Sequence, residues 1–187
     1  MTDNNVQTSP SPALPASAIP AATLVIMRRS ESGGPNEILM VKRSNTMAFA
    51  AGAVVFPGGR IDPDDYLVAA QHGFAKGDVE AAARVAALRE TLEETGLAVG
   101  WPTLADVEAD EVRRALLAEN RLSDILNSRG DRLALDALVP FARWCPNFKE
   151  ARTFDTRFFA VEAPPHGYEL TVEAAEHSHI FWASARA

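Results

Sequence analysis

The chain has 187 residues, 47% of them hydrophobic, which is enough to bury the core of one domain. Its formal net charge of −7 argues against nucleic acid as a partner, because phosphate backbones attract cationic surfaces. The single cysteine, Cys145, excludes an internal disulfide, so we expect a reducing, cytoplasmic environment and an inert thiol. No apolar run is long enough for a transmembrane helix, and we expect no membrane partner.

The N-terminal segment is rich in Pro, Ser, Ala, Thr and Asn, and it lacks the basic start and apolar core of a signal peptide. Such a segment has too little apolar surface to offset the entropy lost on ordering. We therefore predict a disordered tail over residues 1–20 and one folded domain over residues 21–187.

Two apolar, partly β-branched runs open the predicted domain, at residues 22–27 and 38–41, with a polar loop between them. They predict a β-hairpin. A further apolar run, residues 53–56, leads into Pro57-Gly58-Gly59, and this sequence is typical of a tight turn.

Residues 60–77 are predicted to be a loop-like insertion, with Asp-Pro-Asp-Asp at positions 62–65 as a turn. Asp78 is then the predicted N-cap of a long helix that ends at Thr95, with Gly96 just beyond its C-terminus. The remaining predicted elements are a helix over residues 106–118 and strands at residues 138–144, 154–161 and 179–182.

Three glutamates on the long helix are the main functional signal. Glu90, Glu93 and Glu94 fall within a narrow arc of one helical face, at about 100° per residue. Three ionised carboxylates this close repel one another unless a cation lies among them. Carboxylate oxygens suit hard cations such as Mg²⁺ or Mn²⁺. The cluster predicts a metal site for phosphate chemistry, and a solvated acidic face is the alternative.

The segment Arg-Glu-Thr-Leu-Glu-Glu-Thr-Gly-Leu at residues 89–97, downstream of Gly58-Gly59, resembles the Nudix box. The resemblance implies an α/β fold, a Nudix-type α/β/α sandwich with a mixed sheet. It also implies hydrolysis of nucleoside diphosphates linked to another group, with Mg²⁺ or Mn²⁺ as cofactor.

The match to the box is incomplete before Arg89. The family pattern places a glycine fourteen residues before the arginine and a glutamate eight before it, where this chain has Ala75 and Ala81. If Gly59 is the box glycine, its spacing to Arg89 is 30, so about 16 residues are inserted.

An upstream segment resembles the coenzyme A motif of coenzyme A diphosphatases. It consists of Leu-Met-Val-Lys-Arg-Ser at residues 39–44, then Gly52, then Phe-Pro-Gly-Gly at residues 56–59. Two positions depart from that motif, with Val41 in place of threonine and Ala48 in place of arginine. The resemblance implies cleavage of coenzyme A or acyl-coenzyme A to adenosine 3′,5′-bisphosphate and (acyl-)4′-phosphopantetheine.

Two alternatives remain open. The first is the same chemistry on another nucleoside diphosphate derivative, such as ADP-ribose or NADH, which the departures at Val41 and Ala48 favour. The second is a non-catalytic nucleotide-binding regulatory module, which Ala81 and the insertion favour and the intact set of three glutamates opposes.

The resemblance implies roles for the box residues. Glu90 and Glu94 are expected to be direct metal ligands with Glu93 close to them, and Glu90 or Glu94 is expected to accept a proton from the attacking water. Arg89 is expected to orient a glutamate through a charge-assisted pair. Its alternative role is an ordinary intrahelical salt bridge to Glu93, four residues on.

A further metal ligand is expected from a loop near the C-terminus. Glu173 and Glu176 are the candidates, and the resemblance favours Glu176 because of its spacing to Trp182. His177 and His179 alternate at strand spacing, and we expect them at the surface or on an edge strand rather than in the site.

Substrate binding is assigned to Arg43, Gly58, Gly59 and Arg60, the arginines for phosphates and the glycines because they permit close backbone approach. Arg157 is a weaker candidate for the same role. We expect a small-molecule nucleotide substrate and no nucleic-acid partner, and a homodimer is left open. The resemblance also implies a helix after the strand near Trp182, but few residues follow, so we expect a shortened form.

Overall fold

The computed structural model describes residues 18–30, 33–45, 51–146, 153–164 and 168–184, with the side chains of residues 106 and 107 excepted. Residues 1–17 of the predicted N-terminal tail lie outside the described residues, and so does Ala48 of the coenzyme A motif. The prediction that the tail extends to residue 20 is wrong, because Ile19 and Pro20 lie in the first strand.

Within the described residues, seven strands form one mixed sheet. The strands are β1 Ile19–Arg28, β2 Glu37–Arg43, β3 Val54–Val55, β4 Gly58–Arg60, β5 Val139–Trp144, β6 Phe154–Glu162 and β7 His177–Ser184. The main path runs β3-β2-β1-β6-β5, while β4 pairs with β1 and β7 pairs with β2. The β1–β6 pair is parallel and the other pairs are antiparallel. The predicted hairpin and the predicted mixed sheet are both confirmed.

The helices lie in the middle of the chain. They are α1 Pro63–Gln71, α2 Val79–Thr95, α3 Asp106–Leu117 and α4 Leu122–Arg129, and a short 3₁₀ turn follows at Leu135–Ala137. The long helix α2 packs on β1, β4 and β6, while α1 and α3 pack against α2 and α4 packs against α1. This arrangement confirms the α/β class. None of the helices within the described residues is long and apolar enough to cross a membrane.

Helix α2 begins and ends at the predicted residues. The Asp78 side chain accepts hydrogen bonds from the backbone N–H groups of Glu80 and Ala81, at 2.9 and 3.0 Å. Gly96 takes the left-handed conformation, with φ of 76°, and ends the helix. Both signals act within a few residues of the chain, which is why the sequence predicted them.

The prediction of a loop over residues 60–77 is wrong, because α1 occupies its centre. Asp62 caps α1, Pro63 occupies the first turn, and the Asp65 carboxylate accepts a hydrogen bond from the Asp62 backbone N–H at 2.8 Å. Asp and Pro favour the start of a helix as well as a turn, so the local sequence did not separate the two outcomes. Helix α4 was not predicted.

Gly58 and Gly59 lie in strand β4 rather than in the predicted tight turn. They pair with Thr23 and Ala22 of β1, so the two glycines run alongside the centre of the sheet. Since α2 packs on β4 as well as on β1, this pairing brings the Gly-Gly backbone against the glutamate-bearing helix.

The main core lies between α2 and one face of the sheet. Leu24, Ile26, Leu39 and Phe159 are fully buried there. Ala81 belongs to the same core and is 2% exposed, so it faces away from the glutamates. A carboxylate at position 81 would therefore enter the core rather than the group of glutamates.

Strand β5 lies at one edge of the sheet and is exposed along its length. Val139, Phe141 and Trp144 leave more than half of their surfaces open to solvent. Among the described residues no helix follows β7, which ends at Ser184.

Candidate metal centre

The glutamates of α2 lie directly against strand β4. The backbone N–H of Gly58 donates to Oε2 of Glu94 at 3.0 Å, and the Glu94 side chain is buried. A Cβ atom on Gly59 would overlap the carboxylate of Glu90. Glycine at position 59 is therefore what allows Glu90 to lie against the strand backbone.

Arg89 is buried beneath the glutamates and contacts several partners at once. Its Nη1 donates to Glu90 Oε1 and to Glu93 Oε2, both at 3.1 Å. Its Nη2 donates to the backbone oxygen of Arg60 at 3.1 Å. Both contacts considered for Arg89 are present, since it pairs with Glu93 within the helix and also with Glu90.

Asp65 is the main partner of Arg89, and the sequence analysis missed it. The pair is bidentate, with Nε to Oδ1 at 3.0 Å and Nη2 to Oδ2 at 3.1 Å, and the Asp65 side chain has no exposed surface. Burial raises the pKa of Asp65, while hydrogen bonds from Arg89 oppose the shift. A buried charge requires such a partner.

A signal for Asp65 was present in the sequence. In the box pattern the glutamate stands six positions after the glycine, and Asp65 stands six positions after Gly59. Counting back from Arg89 led instead to Ala81, because the inserted residues follow Asp65 rather than precede it.

The loop before β7 carries the other acids and is tied to the end of α2. The backbone N–H of Thr171 donates to the Thr95 oxygen at 2.9 Å, and that of Glu173 donates to the Glu94 oxygen at 3.3 Å. Arg113 of α3, also missed by the sequence analysis, donates to the backbone oxygens of Glu93 and Thr171 at 2.9 and 3.0 Å.

The two candidate acids of this loop have different environments. The Glu173 carboxylate accepts hydrogen bonds from the backbone N–H groups of Ala175 and Glu176, at 3.1 and 2.7 Å, so it caps a turn. Glu176 instead groups with Glu94 and His177, and one ligand atom from each of the three lies within 4.8 Å of the others. Of the two acids, Glu176 is the one that the fold brings to the glutamates of α2.

His177 lies on an edge strand, as expected, at the start of β7, but its side chain is 1% exposed and so is not at the surface. Its Nε2 lies 3.5 Å from Oε1 of Glu94. Neither ring nitrogen has a hydrogen-bond partner within the part of the chain that the structure describes. A buried polar group without a hydrogen-bond partner lowers the free energy of unfolding by about 1–3 kcal/mol. Burial, and next the charge of Arg43, lower the pKa of His177.

The carboxyl groups of the three α2 glutamates, Glu90, Glu93 and Glu94, have raised pKa values, mainly because of burial. Burial raises the pKa of Glu90 to about 7, against the opposing charge of Arg89, and the neighbouring charge of Glu93 adds to the shift. Burial also raises the pKa of Glu94 well above its usual value, and Glu90 and Glu176 add to that shift. A bound divalent cation would favour the ionised form of all these groups, and the oxygen-rich donor set fits such a cation.

The candidate substrate-binding cations differ in position. Arg43 ends β2, pairs with His177 across the sheet, and its charge acts on both Glu94 and His177. Arg60 is exposed at the end of β4. Arg157 is buried and forms ion pairs with Glu80 at 3.2 Å and Asp155 at 3.3 Å, so the expectation that it binds phosphate is not supported.

The chain matches the NUDIX domain over residues 18–184. It is also similar to the crystal structure of a NUDIX hydrolase from Alicyclobacillus acidocaldarius, with 32% identity and a TM-score of 0.77 over 90% of this chain and 80% of that one. A MutT/nudix family protein from Enterococcus faecalis is 11% identical with a TM-score of 0.52, covers 89% of this chain and 44% of that one, and shows the fold alone. None of the curated proteins compared matches this chain.

Proposed function

We propose that this chain, a Nudix hydrolase by its membership of the NUDIX family, cleaves the pyrophosphate of coenzyme A or of its acyl esters. The products would be adenosine 3′,5′-bisphosphate and (acyl-)4′-phosphopantetheine. Membership of the family indicates the class of enzyme, and the resemblance to the coenzyme A motif indicates the substrate.

The position of Arg43 is the observation that carries the substrate part. Residues 39–43 of the motif lie in β2, and its final glycines lie in β4 against α2. The motif therefore borders the acidic centre, and Arg43 places a positive charge beside Glu94 and His177. An anionic substrate that meets the glutamates would meet this cation too.

One departure from the motif has no bearing on substrate contacts. Val41 is fully buried in the sheet, so threonine or valine at this position changes the core and not a surface that a substrate touches. The valine at position 41 is therefore weaker evidence for a substrate other than coenzyme A.

The metal part of the proposal follows from the donor set. Glu90, Glu94 and Glu176 would hold a divalent cation, with Glu93 close to them. Such a cation neutralises phosphate charge and stabilises the developing charge on the leaving phosphate. The hydrogen bond from Gly58 and the contacts with Arg89 orient these carboxylates before any substrate binds.

We assign proton acceptance to Glu90. A water oxygen attacks one phosphorus of the pyrophosphate, the bond from that phosphorus to the bridging oxygen breaks, and Glu90 takes the water proton. The Glu90 side chain is 18% exposed against 8% for Glu94, so water reaches Glu90 more readily. We assign Arg89 a positioning role, because its guanidinium contacts the carboxylates of Glu90 and Glu93.

The test is a comparison of kcat/KM for coenzyme A, dephospho-coenzyme A, ADP-ribose and NADH at equal Mg²⁺ or Mn²⁺. A charge-assisted contact to the 3′-phosphate contributes about 1.5–3 kcal/mol, so dephospho-coenzyme A should be cleaved roughly ten- to a hundredfold less efficiently. Arg43→Gln should reduce that preference, while the exposed Arg132→Gln serves as the matched control.

The order of the four kcat/KM values distinguishes coenzyme A from the alternative substrates. If ADP-ribose or NADH is cleaved most efficiently, the coenzyme A assignment is wrong and the hydrolase assignment stands. If removal of the 3′-phosphate has no effect, the proposed cationic contact is absent.

A further inference from the structure

We propose that His177 supplies an imidazole nitrogen to the cation held by Glu94 and Glu176, and that the site therefore prefers a transition-metal ion such as Mn²⁺ to Mg²⁺. The inference rests on the proposed metal-dependent hydrolysis and adds a ligand of a different chemical kind.

The three groups are spaced for one ion. One ligand atom each from Glu94, Glu176 and His177 lies within 4.8 Å of the other two, and His177 Nε2 is 3.5 Å from Glu94 Oε1. Ligands about 2.0–2.6 Å from a divalent ion stand roughly 3–5 Å apart, depending on the angle between them. A single cation can therefore contact all three groups with small side-chain adjustments.

The imidazole of His177 has no other use in the fold. Both of its nitrogens are buried without a hydrogen-bond partner among the described residues. His72 shows the ordinary alternative, because its Nδ1 lies 2.8 Å from the Val68 oxygen and its Nε2 accepts from the Leu133 N–H at 2.8 Å. His179, two residues after His177, contacts the Ser178 hydroxyl at 3.1 Å. His177 is thus a buried ligand group aimed at two carboxylates.

The backbone holds His177 and Glu176 in place. The His177 N–H donates to the Glu173 oxygen at 2.9 Å, and the Ser44 N–H donates to the Glu176 oxygen at 2.8 Å. His177 also pairs with Arg43 in the β2–β7 ladder. These bonds fix the backbone of both residues, so little backbone freedom is lost when they bind an ion.

A nitrogen ligand changes which metal the site favours. Mg²⁺ and Ca²⁺ prefer oxygen ligands, whereas imidazole is a common ligand of first-row transition metals. A site made only of carboxylates would not gain this preference. His177→Asn should therefore weaken binding of Mn²⁺ about tenfold or more and weaken binding of Mg²⁺ much less.

The experiment is electron spin-echo spectroscopy of Mn²⁺ bound to the full chain, together with Mn²⁺ and Mg²⁺ titrations by calorimetry. We expect a coupling to a directly bound ¹⁴N in the wild type, a changed coupling after ¹⁵N-histidine labelling, and its loss in His177→Asn. His179→Asn is the matched control and should keep the coupling. Bound Mn²⁺ with no nitrogen coupling in the wild type would overturn the inference.

If the His177 variant fails to fold, the wild-type coupling is assigned by substituting the other three histidines one at a time. Persistence of the nitrogen coupling in all three variants identifies His177 as its source. Loss of the coupling in any one of those variants overturns the assignment. Hydrolysis supported by Mn²⁺ bound through oxygen alone would reject the His177 ligand and leave the proposed function standing. Failure of Mn²⁺ to bind, with no hydrolysis, would reject both.

Discussion

Asp65 and Arg89 form a bidentate ion pair that joins the first turn of α1 to the middle of α2, at 3.0 and 3.1 Å. Arg89 in turn contacts the carboxylates of Glu90 and Glu93. The conformation of two glutamates of the centre therefore depends on an aspartate that does not itself belong to it.

Replacing Asp65 by asparagine should destabilise the chain and lower its activity. The change keeps the shape but leaves the buried Arg89 without its main counter-charge, and breaking a buried pair costs about 3–5 kcal/mol. Thermal unfolding and kcat at saturating Mg²⁺ are the measurements. The exposed Asp124→Asn in the first turn of α4 is the control and should change stability by less than about 1 kcal/mol, the scale of a charge at a helix end. A stable, fully active Asp65→Asn chain would show that Arg89 does not need this partner.

Glu94→Gln should keep the fold and remove most of the activity. Its amide oxygen can still accept the Gly58 N–H, so the contact between α2 and β4 survives. The lost charge weakens the metal site, and we expect a decrease in kcat of about 10²-fold or more, the scale for deleting one electrostatic stabiliser. The exposed Glu162→Gln is the matched control. Near-normal turnover of folded Glu94→Gln at limiting Mg²⁺ would contradict the assigned centre.

Ala81→Glu should be strongly destabilising, because position 81 is 2% exposed in the core between α2 and the sheet. An unpaired buried carboxylate costs about 3–5 kcal/mol even though glutamate is a good helix former. Ala70→Glu, at an exposed position of α1, is the control and should cost less than about 1 kcal/mol. The free energy of unfolding in urea measures both. Tighter metal binding by a folded Ala81→Glu chain would place the residue at the centre after all.

Glu90 should make the metal-free chain less stable as the pH rises from about 5 to about 7. Burial raises the pKa of Glu90 from 4.5 to about 7 in the folded state, so between these values the folded chain holds a proton that the unfolded chain releases. Stability then falls with rising pH, since the unfolded state binds fewer protons. Melting temperatures in EDTA across this range are the measurement.

Two comparisons test whether Glu90 causes this pH dependence of stability. Glu90→Gln should flatten the slope, because glutamine does not titrate. Added Mn²⁺ should stabilise the chain more at the upper end of the range, where the carboxylates are ionised. An identical pH dependence of the melting temperature in the wild type and in Glu90→Gln, both in EDTA, would contradict the raised pKa of Glu90.

The sequence by itself determined the features that depend on near neighbours in the chain. Helical periodicity placed Glu90, Glu93 and Glu94 on one face, and Asp78 and Gly96 set the limits of α2, because capping and the helical repeat act over a few residues. The sequence also predicted the hairpin of β1 and β2 and the α/β class.

Only the tertiary structure decided which distant groups meet. Asp65 and Arg89 are 24 residues apart and pair because α1 packs on α2. His177 is buried beside Glu94 because β7 pairs with β2, whereas the same sequence pattern on an uncovered edge would leave it exposed. Ala81 faces the core because the sheet lies on that side of α2. Each outcome depends on which elements pack together, and local propensity and periodicity do not contain that information.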